Sequence, residues 1–116
     1  EWVFTLLVCL ALIALLPPGT VPGLRAVRDA GADWVGVNCV EPAAACEVLD
    51  SLGDLPRAAL PSAGLPGPGG RHPLPPGAWA EGAVRLARLG VKLLGGCCGT
   101  TPAHLRALGR RLGSIP

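Results

Sequence analysis

Short apolar runs without polar alternation recur along the chain. Three of them lie at residues 34–39, 58–61 and 91–96, and each contains four to six residues. Runs of this length between helical segments are typical of parallel strands that are buried on both faces. The pattern therefore predicts three buried strands at these positions.

Helix start and stop signals separate these runs. The predicted helices span residues 20–30, 42–52, 77–89 and 102–112. Thr20 is predicted to cap the first helix, and Thr100 or Thr101 the last. Glycine follows each helix, as is common just past a helix C-terminus. Strands and helices thus alternate, and a weak repeat relates residues 28–39 to residues 86–97. This order predicts an α/β fold with a parallel sheet, either doubly wound or a barrel.

The N-terminal residues 2–16 carry no charged side chain. A membrane-spanning helix needs about 20 apolar residues. The basic residues that begin a signal peptide are missing, and Glu1 stands in their place. We interpret the run as a core strand with its following segment, and a signal or membrane anchor is the alternative. The absence of methionine suggests that the chain is part of a longer protein.

Composition and charge narrow the class of protein. Half of the residues are hydrophobic and 16% are charged, which argues against disorder despite 17 glycines and 13 prolines. A length of 116 residues allows one domain at most. The net charge is +2 and its charges are scattered, so we expect neither a nucleic-acid partner nor membrane association.

The cysteines change the functional picture. There are five of them, an odd number, and Cys97 and Cys98 are adjacent. This pattern is a poor match to a secreted disulfide framework, so we expect reduced thiols and a cytoplasmic location. Cys39, Cys97 and Cys98 all fall at the C-terminal ends of predicted strands, which is the edge where α/β folds build their sites.

Three thiolates with an open fourth position are typical of a catalytic rather than a structural zinc site. Zn²⁺ held in this way would keep a substrate thiol ionised and nucleophilic. Gly95, Gly96 and Gly99 supply the backbone freedom that two adjacent ligands need. Two alternatives remain for Cys97 and Cys98: a redox-active vicinal pair, or two small residues in a glycine turn.

Other polar and thiol side chains receive simpler interpretations. Cys9 and Cys46 are predicted to be small core residues. His104, near the start of the last helix, is predicted to be solvated. His72 has the chemistry of a fourth ligand, but no other ligand accompanies it in segment 62–77, which we interpret as a structural connector. The last helix also carries basic residues on a predicted solvated face that complements its dipole: Arg106, Arg110 and Arg111.

Three motifs occur in the order found in homocysteine S-methyltransferases. They are Gly36-Val37-Asn38-Cys39, Leu60-Pro61-Ser62-Ala63-Gly64 and Gly95-Gly96-Cys97-Cys98-Gly99-Thr100-Thr101-Pro102. The chain resembles the C-terminal half of this family over nearly its whole length. The resemblance implies a (β/α)8 TIM barrel, here incomplete with about four βα units. Residues 1–116 would then be the C-terminal part of the homocysteine-binding domain.

The resemblance also implies a chemistry. Zn²⁺ would be held by Cys39, Cys97 and Cys98, and Asn38 would bind the substrate. Homocysteine would bind zinc as a thiolate and take a methyl group from a sulfonium donor, S-methylmethionine or S-adenosylmethionine, giving methionine. Ser62 stands where the family usually has asparagine, which would loosen a hydrogen bond on the substrate side. The alternative is a truncated, inactive remnant that binds metal or a partner, because half a barrel lacks part of the pocket.

Overall fold

The computed structural model describes residues 19–53 and 56–113. Its elements are α1 (Thr20–Asp29), β1 (Val35–Asn38), α2 (Pro42–Asp50), β2 (Arg57–Leu60), a 3-10 turn (Pro68–Gly70), α3 (Pro76–Arg88), β3 (Leu93–Leu94) and α4 (Pro102–Gly113). The three strands form one parallel sheet in the order β1-β2-β3. This confirms a parallel α/β arrangement for the described residues. A barrel of about four βα units stays a prediction, because three parallel strands with crossover helices are common to barrels and doubly wound sheets.

The sheet is held by regular parallel pairing around β2. β1 pairs with β2 along its full length. β3 pairs with β2 through Ala58 and Ala59. Gly36 of β1 has no room for a side chain, because a Cβ there would lie 2.1 Å from the carbonyl oxygen of Ala58. β3 is shorter than the predicted run 91–96, yet Gly95 beyond its end still donates a hydrogen bond to Ala59 at 3.0 Å.

Apolar helix faces build the core in two clusters. One contains Leu24, Val37 and Leu49, where α1 and α2 contact β1. The other lies between α3 and α4 around Trp79 and Leu108, which are 0% and 4% exposed. Burying a large apolar side chain contributes roughly 1.5–3 kcal/mol, so these faces are the main source of helix stability.

Proline starts three of the helices. Pro42, Pro76 and Pro102 are the first residues of α2, α3 and α4. Proline suits this position because the first helical N–H has no partner within the helix. The helix ends lie within two residues of the predicted ones. One cap is wrong: Thr20 is the first helical residue, and Gly19 occupies the capping position before it.

Arg57, the first residue of β2, is buried and binds the ends of two helices. Its guanidinium donates hydrogen bonds to the carbonyl oxygen of Leu49, at 2.8 Å, and to that of Leu89. These carbonyls belong to the last turn of α2 and the C-cap of α3, where a cation also complements the helix dipole. The sequence pattern did not predict a buried cation at this position.

Some predictions fall outside the described part of the chain. The apolar run 2–16, interpreted as a strand, and Cys9 lie there. Among the helices that the structure describes, none has the length and apolar character needed to cross a bilayer.

Candidate metal centre

Cys39 follows directly after β1 and turns the chain. Its φ is +58°, a left-handed backbone conformation that residues with a Cβ atom rarely adopt. Such a conformation costs roughly 1–2 kcal/mol, so the surrounding structure must hold it. The N–H of Cys39 donates to the carbonyl oxygen of Leu60 at 3.1 Å. The turn places the thiol of Cys39 at the carboxyl end of the sheet.

Cys97 and Cys98 lie in the loop between β3 and α4. The carbonyl oxygen of Cys97 accepts hydrogen bonds from the N–H of Thr100 at 3.1 Å and from its Oγ1 at 2.6 Å. Gly99 has a φ of +77°, which closes the turn. The loop leaves the regular strand geometry at this point, so two successive thiols reach the same side, as the flanking glycines predict.

A short backbone stretch holds both cysteine loops. In this central segment, residues 60–63, the bonds alternate between the two sides. Leu60 accepts from Cys39, and Ser62 donates to Val40 at 2.8 Å. On the other side, the carbonyl oxygen of Pro61 accepts from the N–H of Cys97 at 3.1 Å, and the N–H of Ala63 donates to the carbonyl oxygen of Cys98 at 2.9 Å. The central segment therefore sets the distance between the two loops through main-chain atoms.

The three predicted ligand thiols come together. The Sγ atom of Cys39 lies 2.7 Å from that of Cys97 and 3.8 Å from that of Cys98. The Sγ atoms of Cys97 and Cys98 are 3.8 Å apart. All three are free thiols, Cys98 is exposed and the other two are half-buried. Among the described residues, they are the one group of three side chains close enough to share a metal ion.

These separations fit a zinc ion. Thiolates at about 2.3 Å from a tetrahedral zinc lie about 3.8 Å from one another, as two of the three pairs do. The Sγ atoms of the pair Cys39–Cys97 are closer than this, at 2.7 Å. Exposure of Cys98 leaves a side of the cluster open for a fourth ligand.

The cluster also separates the acidities of its thiols. The hydrogen bond to Cys97, then burial and the neighbouring sulfurs, raise the pKa of Cys39 to about 12. Burial acts to raise the pKa of Cys97 as well, but the hydrogen bonds from Cys39 and Cys98 outweigh it and bring that pKa below its usual value. The contact between the two sulfurs therefore favours ionisation of Cys97 over ionisation of Cys39.

Asn38 lies at the C-terminal end of β1, next to the cluster. Its Nδ2 atom is 3.7 Å from the Sγ atom of Cys39. Its Oδ1 atom is shielded from solvent and has no hydrogen-bond partner among the described residues. A buried amide oxygen without a hydrogen-bond partner is unusual in a folded chain.

His72 lies over the cysteine loop but is not part of the cluster. A Cβ on Gly99 would meet the imidazole ring at 2.2 Å, so the ring rests on this glycine. Its Nδ1 atom donates to the carbonyl oxygen of Gly64 at 2.6 Å. Segment 62–77 therefore does more than connect two elements, because part of it covers the turn after Cys98.

His104 is buried, so its predicted solvation is wrong. The side chain is 6% exposed and meets Trp79 edge-on, with ring centroids 5.7 Å apart and planes at 81°. The spacing to Leu108 could have indicated this, since residues four apart share a helix face. Cys46 is 7% exposed in the first core cluster, as predicted. Arg106 and Arg110 are exposed on α4, as predicted.

Ser62 has a local partner. Its side chain is buried, and its Oγ atom accepts a hydrogen bond from the N–H of Gly64 at 3.3 Å. Hydroxyl side chains commonly stabilise turns in this way. The residue thus shapes the turn between the central segment and the stretch that covers Gly99.

Comparison with known proteins identifies the family. The family described as homocysteine S-methyltransferase matches residues 16–112, most of the chain. The chain belongs to the homocysteine S-methyltransferase family. The match includes all three cysteines of the cluster and Asn38.

Individual homocysteine S-methyltransferase relatives agree with this assignment. Methionine synthase of Mycobacterium tuberculosis is 41% identical over 100 residues, covering 79% of this chain and 8% of the relative. Methionine synthase of Mycobacterium leprae is 43% identical over 91 residues, covering 72% of this chain and 8% of the relative. Betaine–homocysteine S-methyltransferase 1 of Danio rerio is 30% identical over 124 residues, covering 81% of this chain and 30% of the relative. The chain therefore spans less than a third of the length of each of these relatives.

Proposed function

We propose that this chain is the C-terminal part of a homocysteine-binding domain that methylates the thiol of homocysteine at a zinc centre. The observation that carries the proposal is the convergence of three free thiols at the carboxyl edge of the sheet, with separations that suit zinc. Membership of the homocysteine S-methyltransferase family supports the choice of substrate.

Each residue has a separate task in this proposal. Cys39, Cys97 and Cys98 would hold Zn²⁺, which lowers the pKa of a bound thiol while leaving its sulfur nucleophilic. The open side of the cluster, next to Cys98, admits the substrate sulfur. The unpartnered Oδ1 atom of Asn38 would accept a hydrogen bond from the ammonium group of homocysteine. These contacts position the sulfur for in-line attack, which is the main contribution of a site without a general base.

The methyl donor is proposed to be a sulfonium compound, S-methylmethionine or S-adenosylmethionine. A bond forms between the homocysteine sulfur and the methyl carbon. The bond between that carbon and the donor sulfur breaks, and its electron pair stays on the neutral sulfide that leaves. Betaine is the competing donor, since one relative is named for it. We place the reaction in the cytoplasm, because the three ligands must stay reduced.

A metal and activity assay on the full chain tests the proposal. We expect one zinc per chain after purification in reductant, and loss of the metal in Cys97→Ala and Cys98→Ala. Cys46→Ala is the matched control, because this thiol lies in the core and outside the cluster. Retention of zinc in the double variant Cys97→Ala/Cys98→Ala would contradict the assignment. Methionine formation is then measured with S-methylmethionine, S-adenosylmethionine and betaine in separate reactions.

A metal-binding remnant without activity is the second candidate. The paired neighbours Ala58 and Leu93 lie outside both core clusters, and Leu93 is 53% exposed. Parallel sheets are normally covered on both faces, so this face favours a further protein layer. The remnant would bind one zinc and yield no methionine with any of the three donors. Methionine formation by the full chain would exclude it.

A further inference from the structure

A chain of hydrogen bonds runs from the cysteine loop to α4. The carbonyl oxygen of Cys98 accepts from the N–H of Ala63 at 2.9 Å, and the carbonyl oxygen of Ala63 accepts from the N–H of Leu74 at 2.9 Å. The carbonyl oxygen of Leu74 pairs with Nε2 of His104 at 2.9 Å. Ala63 and Leu74 flank a segment, residues 64–73, that we call the strap.

The two ring nitrogens of His104 have different roles. The N–H of Thr101 points at Nδ1 from 3.1 Å, and a backbone N–H can only donate. Nδ1 is therefore the acceptor, and the ring proton lies on Nε2, where it is donated to the carbonyl oxygen of Leu74. His104 is the third residue of α4, so its bond to Thr101 resembles one half of a capping box. The ring is fixed further by its edge-on contact with Trp79.

These bonds close a ring around the metal loop. Thr101 follows Cys98 by three residues, and both belong to the loop that leads into α4. His104 thus connects Thr101, at the end of this loop, to Leu74. The N–H of Leu74 binds Ala63, and the N–H of Ala63 binds the carbonyl oxygen of Cys98. Within the strap, the imidazole of His72 rests on Gly99. A side chain outside the ligand cluster is therefore connected, through Leu74, to the segment that covers the ligand loop.

We propose that His104 is a positioning residue for the metal centre, holding the Cys98 loop in its ligating form through Leu74 and Ala63. The inference rests on the proposed zinc function of the cysteines. His104 touches neither metal nor substrate. Its effect is on the affinity for the ion, because loss of the bond to Leu74 releases the residue whose N–H holds Ala63, and Ala63 in turn holds the carbonyl oxygen of Cys98.

Two nearly isosteric variants separate this role from helix capping. His104→Gln and His104→Glu can both accept the N–H of Thr101, as glutamine and glutamate do in capping boxes. Glutamine can also donate to the carbonyl oxygen of Leu74, and an ionised glutamate cannot. His104→Phe keeps an aromatic ring against Trp79 and loses both hydrogen bonds. It replaces His104→Glu as the test if that variant does not fold.

The measurement is the zinc dissociation constant of the full chain, by competition with a chromophoric chelator. We expect His104→Glu and His104→Phe to bind zinc about 10-fold more weakly than the wild type, the lower end of the effect of removing a direct partner of a metal ligand, because His104 acts through Leu74 and Ala63. His104→Gln should stay within about threefold of the wild type, as rescue by the conservative change requires. Co²⁺ absorption should report a distorted site in the weak binders.

A stability control excludes a general effect of a damaged core. Leu24→Ala removes a buried side chain from the other core cluster, which contains neither Ala63 nor Leu74, and should lower stability while leaving zinc affinity within about threefold. Equal affinity of all His104 variants and the wild type would overturn the inference alone. Failure of the wild type to bind zinc would overturn both the inference and the proposed function.

Discussion

Replacing Asn38 by leucine should make the protein more stable and less able to bind substrate. The Oδ1 atom of Asn38 is shielded from solvent without a partner, which costs about 1–3 kcal/mol. The Nδ2 atom has only a 3.7 Å contact with the sulfur of Cys39, which contributes about 0.5 kcal/mol at most. Leucine has a similar size and removes both groups. We therefore expect the free energy of unfolding to rise by about 1–2 kcal/mol.

Chemical and thermal unfolding of the metal-free, reduced chain measure this gain. For a domain of this size, each 1 kcal/mol corresponds to a rise of about 4–8 °C in Tm. Homocysteine binding, measured by calorimetry on the zinc-loaded chain, should weaken about 10- to 100-fold, because a bond from a charged ammonium donor is lost. Zinc content should not change, since all three ligands remain. A less stable Asn38→Leu chain, or one with wild-type homocysteine affinity, would refute the reasoning.

Three further predictions concern two residues that support the site and one thiol in the core. Arg57→Met removes the cation that binds the ends of α2 and α3, so the free energy of unfolding in urea should fall by about 2–4 kcal/mol; an unchanged midpoint would show that the two carbonyls need no partner. Gly99→Ala places a methyl group against His72 at a φ of +77°, so zinc affinity should fall about tenfold, whereas Gly109→Ala, with open space around it, should have no effect. Burial raises the pKa of Cys46 above its usual 9.0, so the folded state favours the protonated thiol. Its contribution to stability is complete below pH 9 and is lost as pH rises through the higher folded-state pKa. Urea midpoints at pH 8 and pH 10 should therefore differ less in Cys46→Ala than in the wild type, and equal differences would contradict this.

Local signals were sufficient for the helices and for the gathering of the thiols. Proline at the first helical position and glycine past the last one are effects of single residues on their own backbone, so they can be read without knowledge of the fold. The convergence of Cys39 with Cys97 needed one more rule, that parallel strands end at a common edge. The helix boundaries and the positions of the cysteines at strand ends could therefore be predicted from short stretches of sequence.

Other features depend on contacts between distant residues. Arg57 is buried because two helix ends meet beside it, one of them 32 positions away. His104 is buried against Trp79, and the carbonyl oxygen of Leu74, 30 positions earlier, accepts a hydrogen bond from its Nε2–H. The residues next to Arg57 and His104 in the sequence do not indicate which distant carbonyl groups these side chains bind. At Thr20 a local signal was misleading. Threonine is a favoured capping residue, but the helix begins at Thr20 itself and Gly19 occupies the capping position.

The central segment, residues 60–63, has a consequence for how the family can vary. Its bonds to Cys39 and to the Cys97–Cys98 loop use only main-chain N–H and carbonyl groups. An exchange of side chains there, such as the serine at Ser62, leaves those bonds available. Insertion or deletion of one residue would reverse which loop each group faces, since successive groups alternate in direction. In natural variants, the length of this stretch should therefore stay invariant.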